Sequence, residues 1–256
     1  MSRWEWNDIF ELPEVALAGE RRLPKATLAR QALLTKTEQK VLDRVARLSH
    51  FATVQRSTCR VLPTVDDERD IQGIIFLRCE MAGSAAYAEV ARLLHKCFPN
   101  PTVILFGEAD KACISVSVTR KSMAEQGATV VDRVESTGAV DLTVPALAPL
   151  CDALAFRNLP QADLLSYLEG IAWNVRLSRA VPSLGFFPSC DARDRDTLEG
   201  LIARRDALDA ELAEVNRQRQ DRDLSLNETA KLRMRGKKLE QELGRVAESI
   251  KEICHA

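Results

Sequence analysis

The sequence reads LEGLIARRDALDAELAEV at residues 198–215 and LRMRGKKLEQELGRVAESIKEI at residues 232–253. Apolar residues recur in both segments at alternating steps of three and four, which is the spacing of a coiled-coil seam. The seam residues are Leu198, Leu201, Leu208, Leu212 and Val215, then Leu232, Leu239, Leu243, Val246, Ile250 and Ile253. With a turn within residues 221–227, the pattern predicts a C-terminal antiparallel coiled-coil hairpin.

The composition of the chain changes shortly before this hairpin. Proline is absent from residue 194 onward and charged residues dominate, whereas Pro182 and Pro188 interrupt the preceding segment. The sequence therefore predicts two domains, a globular domain over residues 1–189 and the helical hairpin over residues 190–256. A hairpin beside a small domain exposes a second face, which is typical of a docking element.

The globular part alternates between β-branched runs and amphipathic segments. The runs predict strands at residues 51–61, 71–79, 102–106, 112–118 and 129–134. The amphipathic segments predict helices at residues 35–48, 84–98, 145–154 and 161–179. The expected fold is α+β: a small mixed or antiparallel sheet of four to five strands with covering helices, followed by the hairpin.

Local signals refine this expectation at two places. The short turn Gly107–Lys111 separates two apolar runs and favours an antiparallel pair of strands. Leu-Pro steps at Pro13 and Pro24 disfavour helix before each proline, so residues 1–31 are expected to form an extended arm with little regular structure.

Charge and cysteine content indicate the class of protein. The 36 basic and 37 acidic residues nearly cancel, so any affinity for nucleic acid has to come from a local patch. No run approaches the length of a membrane span, and the N-terminus lacks the pattern of a signal peptide, so a cytoplasmic protein with reduced thiols is expected. Seven cysteines are scattered without a C-x-x-C pair: Cys59, Cys79, Cys97, Cys113, Cys151, Cys190 and Cys254.

No motif in the chain indicates a reaction. Phosphate-binding glycine loops and a G-x-S-x-G elbow are missing from the sequence, and His50, His95 and His255 have no partner at the spacing of a metal pair. His95, beside Lys96 in an amphipathic segment, is expected to be solvated or to lie at a helix end, and not to be a metal ligand. The sequence therefore predicts no catalytic residue, no metal site and no cofactor.

One local charge asymmetry stands out in the hairpin. Between residues 216 and 238, eight bases face three acids, which gives this tip a charge of about +5. Such a cluster is suited to salt-sensitive contacts with a phosphate backbone. The predicted nucleic-acid-binding residues are Arg217, Arg219, Arg222, Lys231, Arg233, Arg235, Lys237 and Lys238.

Short motifs along the chain suggest a family. The motifs FELP at residues 10–13 and LPK at 23–25 precede an amphipathic helix, apolar strand runs and the charged heptad tail. This arrangement resembles an uncharacterised bacterial domain family encoded beside helicases and DNA methyltransferases in restriction-like antiphage defence islands. The likeness spans nearly the whole chain and carries over no catalytic residue. One departure is Glu80, which ends a strand where relatives more often have a Leu-Lys step.

The resemblance implies an accessory subunit that works with a helicase and a DNA methyltransferase. The preferred hypothesis is therefore a non-catalytic assembly subunit that docks through its hairpin and contacts the DNA backbone. Two alternatives stay open: a divergent metal-dependent nuclease that uses Asp66, Asp70 and Glu80 across the sheet, and a homodimeric protein whose hairpins form a four-helix bundle.

Overall fold

The computed structural model describes residues 5–83, 87–107, 109–125, 127–220 and 225–254. The chain forms two compact units, Met1–Arg179 and Ala180–Ala256. The domain boundary at residue 189 stays a prediction of the sequence. Within the described ranges, no helix has both the length and the apolar character that a membrane span requires.

The elements combine short and long helices with strands of two to ten residues. The helices are α1 (Trp6–Phe10), α2 (Lys25–Gln31), α3 (Lys36–Asp43), α4 (Arg56–Cys59), α5 (Tyr87–Lys96), α6 (Ala148–Leu154), α7 (Leu164–Ser178), α8 (Val181–Leu184), α9 (Arg195–Gln218) and α10 (Leu226–Cys254). The strands are β1 (Leu17–Arg22), β2 (Val45–Val54), β3 (Thr64–Val65), β4 (Asp70–Ile71), β5 (Ile74–Met81), β6 (Thr102–Phe106), β7 (Cys113–Lys121) and β8 (Thr129–Ser136).

A six-stranded mixed sheet organises the first unit. Its strand order is β1-β2-β5-β6-β7-β8, in which β5 and β6 run parallel across α5 and the other neighbours are antiparallel. The strands β3 and β4 form a separate two-stranded ribbon. The combination of helices with a mixed sheet is confirmed, whereas the prediction of four to five strands was too low.

The additional strand β1 lies in the arm that the sequence predicts to be irregular. It pairs antiparallel with β2, but the pairing shifts between Leu17 and Arg21. Gly19 and Glu20 have φ angles of 61° and 53° there, which is the left-handed region. Because a bulge removes the alternation of buried and exposed residues, this strand has no period-two signal in the sequence.

The strand β2 replaces the last turn of the first predicted helix. The capping box at the start of α3 is present, with Glu38 N donating to Thr35 Oγ1 at 3.3 Å, but the helix ends at Asp43. Val45 and Leu48 are both buried in β2, where a register shift follows Val45. A three-residue spacing of apolar residues fits a helix as well as a bulged strand, which explains the error.

Both faces of the sheet are covered by helices. Leu28 of α2, Leu42 of α3 and Leu94 of α5 belong to a buried cluster on one face that includes Phe106. On the other face, α7 packs against β7 and β8, and the ring of Phe10 meets that of Phe76 edge-on at 5.2 Å. All five residues of β6, 102–106, are buried. The predicted strand at these residues and its predicted antiparallel pairing with the next strand, β7, are both confirmed.

Candidate functional site

The two long helices of the second unit pack antiparallel. Arg235 Nη2 lies 2.7 Å from Glu211 Oε1, and Arg204 Nη2 lies 2.9 Å from Glu242 Oε2. The higher-numbered residue of α10, Glu242, is paired with the lower-numbered residue of α9, Arg204, so the two helices run in opposite directions. The packed interface is a cluster of apolar side chains: Leu208, Leu212, Val215, Leu232, Leu239, Leu243 and Val246.

The buried face of α9 differs in part from the predicted seam. Ile202 is fully buried and the predicted Leu201 is only partly buried. Arg205 is also buried, at 9% exposure, and its Nη2 lies 2.9 Å from Asp209 Oδ2 while its Nε donates to Ser183 Oγ at 3.3 Å. A buried guanidinium requires such partners, and a search for apolar periodicity passes over it.

The helix α10 begins at a capping box that is readable from the sequence. Glu228 N donates to Ser225 Oγ at 3.3 Å, and Ser225 N donates to Glu228 Oε2 at 2.9 Å. This S-x-x-E arrangement satisfies two backbone donors at a helix start. The Ser225 hydrogen bonds, with the nearby Lys231, hold the pKa of Glu228 below its usual value.

The predicted basic residues that the structure describes differ in their partners. Arg217 and Arg235 are bound to Glu214 and Glu211, and Arg219 Nη1 donates to Asn216 Oδ1 at 3.2 Å. Arg222, like the neighbouring acids 221 and 223, lies outside the described residues. Lys231 lies one turn after Glu228. The remaining predicted bases are Arg233, Lys237 and Lys238, which are exposed.

A helical projection places these three bases on the solvent side of α10, together with a fourth. At about 100° per residue, Arg245 lies on the same side, and the four bases lie about 100° to 160° from the buried Leu239. Glu248, which is paired with Lys251, lies on this side as well. Among the described residues, none of the four bases has an ion-pair partner. We call this set the outer stripe: Arg233, Lys237, Lys238 and Arg245.

The dimensions of the outer stripe suit a polyanion. Arg233 and Arg245 are twelve positions apart, about 18 Å along a helix axis. Phosphates of one B-DNA strand repeat about every 3.4 Å, so the stripe spans roughly five of them. Met234, at 76% exposure, lies between the bases on the same side. Arg245 was not among the predicted residues because it lies beyond the stretch of highest basic density.

Among the carboxylates of the nuclease alternative, Asp66 and Asp70 flank one turn, and Glu80 lies apart from them. Asp66 Oδ1 accepts backbone hydrogen bonds from residues 68 and 69, which shapes the turn between β3 and β4. Asp70 precedes the start of β5, and Glu80 lies near the end of the same strand. About 20 Å of extended strand therefore lies between the two positions. Within the described ranges, no group of three or more histidine, cysteine or acidic side chains is placed to hold a metal ion.

His95 is buried, so the expectation of a solvated side chain was wrong, whereas the alternative expectation of a helix-end position agrees with its place in the last turn of α5. Its Nδ1 lies 2.5 Å from Thr102 Oγ1 and its Nε2 lies 2.9 Å from Ser115 Oγ. Desolvation lowers the pKa of this imidazole to about 3, so it is neutral at physiological pH. The hydroxyl partners come from β6 and β7, and His95 therefore attaches α5 to the sheet.

All seven cysteines are free thiols, in line with the expectation of reduced cysteines. Cys79 and Cys113 are buried, and the other five are partly buried. Burial raises the pKa of Cys79 to about 12 and that of Cys97 to about 11. Because the thiolate is the nucleophile, such high pKa values make these two thiols unreactive at neutral pH.

Comparison with known proteins gives one match. The family model described as "Domain of unknown function (DUF4391)" matches residues 10–243. No curated protein and no solved structure matches the chain. The description of the family assigns no activity, so a function has to be argued from the geometry of the chain.

Proposed function

Because this chain belongs to the DUF4391 family, whose description names no activity, we propose its function from its surface: a non-catalytic accessory subunit of a bacterial DNA-defence complex. The subunit assembles with helicase or DNA methyltransferase subunits through its C-terminal hairpin, and the outer stripe contacts the DNA backbone. The partners follow from the resemblance of the sequence, and the DNA contact follows from the charge of α10.

The outer stripe is the observation that carries the DNA contact. Its two guanidinium and two ammonium groups are exposed, and none of them makes an ion pair with a described carboxylate. Guanidinium and ammonium groups form charge-assisted hydrogen bonds with phosphate oxygens. The whole chain carries a net charge of −1, so the attraction for DNA is local to this surface.

The hairpin also supports a role in assembly. Leu208, Val215 and Leu239 are buried within the hairpin, so its seam requires no partner to cover it. The outward surface of α10 therefore stays available, with Met234 as its exposed apolar side chain. A flexible apolar residue among bases is suited to a contact with a partner surface that combines apolar and acidic groups.

We expect neutralisation of the outer stripe to weaken duplex binding and flatten its salt dependence. The variant replaces four bases by glutamine: R233Q, K237Q, K238Q and R245Q. The slope of log K against log salt is negative, and each lost phosphate contact reduces its magnitude by about 0.9. The magnitude should therefore decrease by about 3 to 4 in this variant. Affinity at low salt should fall at least about tenfold, as measured by fluorescence anisotropy with a labelled duplex.

A matched control variant changes the net charge by the same amount, but at bases that are already ion-paired: R204Q, R217Q, R235Q and K251Q. Their partners are Glu242, Glu214, Glu211 and Glu248. Because these bases are neutralised locally, the slope of this variant should stay close to that of the unaltered protein. Equal slopes for the two variants, or no duplex binding by the unaltered protein, would contradict the proposed DNA contact.

The homodimer alternative is tested by mass in solution. If the outer surface of α10 contacts DNA and partner subunits, the protein alone should have the mass of one chain over a wide range of concentration. Light scattering measures this mass directly. A mass that doubles as concentration rises, and that reverts to one chain with Met234→Glu, would favour a four-helix bundle of two hairpins.

A further inference from the structure

A cavity of about 340 Å³ lies in the first unit, near the ends of three strands. Its polar lining comes from the ends of β2, β5 and β6 and the loops beside them: His50, Thr53, Gln55, Gln72 and Asn100. The volume falls in the range of small-molecule sites. We propose that this cavity binds an uncharged planar nitrogen heterocycle of the nucleobase type, with adenine as the best match.

A β-bulge builds the histidine side of the cavity. In a regular strand, residues three positions apart point to opposite faces. The pairing of β2 with β5 shifts between His50 and Ala52, so His50 is opposite Leu77 while Thr53 is opposite Ile75. The bulge therefore brings His50 and Thr53 to the same face, where His50 Nε2 lies 2.7 Å from Thr53 Oγ1. Bulges that redirect side chains in this way are frequent beside functional sites.

The contacts of His50 suit the tautomer with its hydrogen on Nε2. Its Nε2 lies 3.1 Å from the carbonyl oxygen of Ala52 and 2.7 Å from Thr53 Oγ1, and in this tautomer it can donate to either oxygen. In the neutral imidazole, Nδ1 is then an acceptor. Among the described residues it has no hydrogen-bond partner. The ring therefore offers one acceptor to a ligand.

Asn100 is held in place by the prolines on both sides of it. Pro101 restricts Asn100 to extended backbone angles, and the carbonyl oxygen of Pro101 accepts a hydrogen bond from Ile75 N at 3.0 Å. The amide of Asn100 makes no hydrogen bond to another described residue. It thus presents a donor and an acceptor side by side, with little backbone freedom to lose on binding.

The lining decides the chemical class of the ligand. Apart from the imidazole of His50, no described lining residue has an ionisable side chain, so a phosphate, carboxylate or ammonium group would meet no lysine, arginine or carboxylate partner in the cavity. Leu23, Ile75 and Phe98 supply apolar and aromatic surface. Unstacked bases bind proteins by contact with aromatic rings and by hydrogen bonds along their edges.

The amides favour adenine among the bases. Adenine presents the N7 acceptor beside the N6 donor, and a primary amide pairs with both. Gln72 Nε2 already donates to Asp70 Oδ1 at 2.6 Å, so its carbonyl oxygen is left to accept from the ligand. Gln55 Nε2 donates to Ser57 Oγ at 2.8 Å and is oriented in the same way. This site lies in the first unit and does not depend on the hairpin.

The test is a titration of the full chain with adenosine, cytidine, guanosine and uridine, followed by calorimetry or NMR. Adenosine should bind most tightly. Asn100→Leu should weaken adenosine binding at least about tenfold, since a bidentate amide pair provides discrimination of this order. Gln31→Leu makes the same kind of change at an exposed residue outside the cavity, and it should leave binding unchanged.

Two oligonucleotides distinguish the source of the base. One is a single strand with one adenine in an otherwise abasic chain, and the other is fully abasic. If the adenine-containing strand binds more tightly than both the abasic strand and free adenosine, the site takes a base within a strand. If the two strands bind equally and adenosine shows saturable binding, the site takes a free nucleoside. Either result supports the proposal.

Two results would overturn the assignment of this cavity. One is the lack of saturable binding by all four nucleosides and by the adenine-containing strand. The other is adenosine binding that is unchanged in both Asn100→Leu and Gln72→Leu. Gln72 is exposed, so its variant is expected to fold even if the change at Asn100 does not. Circular dichroism of each variant separates loss of the fold from loss of binding.

Discussion

Replacement of Gly107 by alanine is expected to lower the free energy of unfolding by about 3 to 5 kcal/mol. Gly107 has a φ angle of 72°, and a Cβ built on it would lie 2.1 Å from the carbonyl oxygen of Lys111. That oxygen accepts a hydrogen bond from Tyr87 Oη at 3.1 Å, and the ring of Tyr87 packs on Phe106. A backbone atom in this position cannot move away without displacing the connection between β6 and β7.

Gly138→Ala separates the clash from the cost of the backbone angle. Gly138 has a nearly equal φ of 68°, but a Cβ there would meet nothing within 4 Å. Its replacement should cost about 1 to 2 kcal/mol, the usual cost of a left-handed conformation for a residue with a Cβ. Urea denaturation of both variants measures the difference. Equal losses of stability would show that the turn relaxes and that the short distance has no energetic consequence.

The centre of the sheet is predictable because its signal is local. Residues 102–106 are apolar without interruption, and all five are buried in β6. The glycine at 107 and the following apolar run fix the reversal into β7. A continuous apolar run bounded by turn residues has few competing interpretations. The sequence therefore predicted the strands β5 and β6 with the helix between them, and the antiparallel partner β7, whereas the parallel pairing of β5 with β6 comes from the structure.

The strand β1 and the first half of β2 were missed because bulges alter the period of their side chains. In β2, the shifts after Val45 and after His50 place buried residues at three-residue steps, which favour a helix over its first half. In β1, the left-handed backbone at Gly19 and Glu20 interrupts the pairing with β2. Such shifts depend on the neighbouring strand, so a single sequence does not reveal them.

The candidate sites show the same limit. Composition identifies the basic tip. The buried face of α10 is needed to show that Lys237 and Arg245 share the solvent side of this helix. The structure is also needed to show that Arg235 is paired with Glu211. His50 has no metal-pair spacing, yet a bulge brings it beside Thr53 in a cavity. Both arrangements arise from contacts between residues that are distant in sequence or shifted in register.

The buried His95 should make the stability of the protein fall steeply in acid. Its pKa is about 3 in the folded chain, against an ordinary value of 6.5 that applies to the unfolded chain. Between these values the unfolded state binds a proton and the folded state does not, so stability falls as the pH drops below 6.5 and continues to fall towards 3. At about 1.36 kcal/mol per pH unit, the loss from pH 7 to pH 4 is about 3 kcal/mol.

His95→Gln tests this prediction, because an amide can still bond to the hydroxyl groups of Thr102 and Ser115 but does not titrate. Denaturation by urea at pH 7.0, 5.5 and 4.0 gives the free energy of unfolding of both proteins. Other groups with lowered pKa values, such as Glu38 with a pKa of about 2, contribute equally to both and cancel in the difference. Between pH 7 and pH 4, the unaltered protein should lose about 3 kcal/mol more than the variant.

The ring itself provides an independent check on the same prediction. Nitrogen-15 spectra of the imidazole distinguish the neutral form from the protonated form, and His95 should stay neutral at pH 5. Its two hydroxyl partners sit on β6 and β7, so protonation requires the α5 side of the sheet to open and admit water. Parallel stability profiles for the two proteins, together with a protonated ring at pH 5, would contradict the burial of His95 and the role of this side chain in attaching α5 to the sheet.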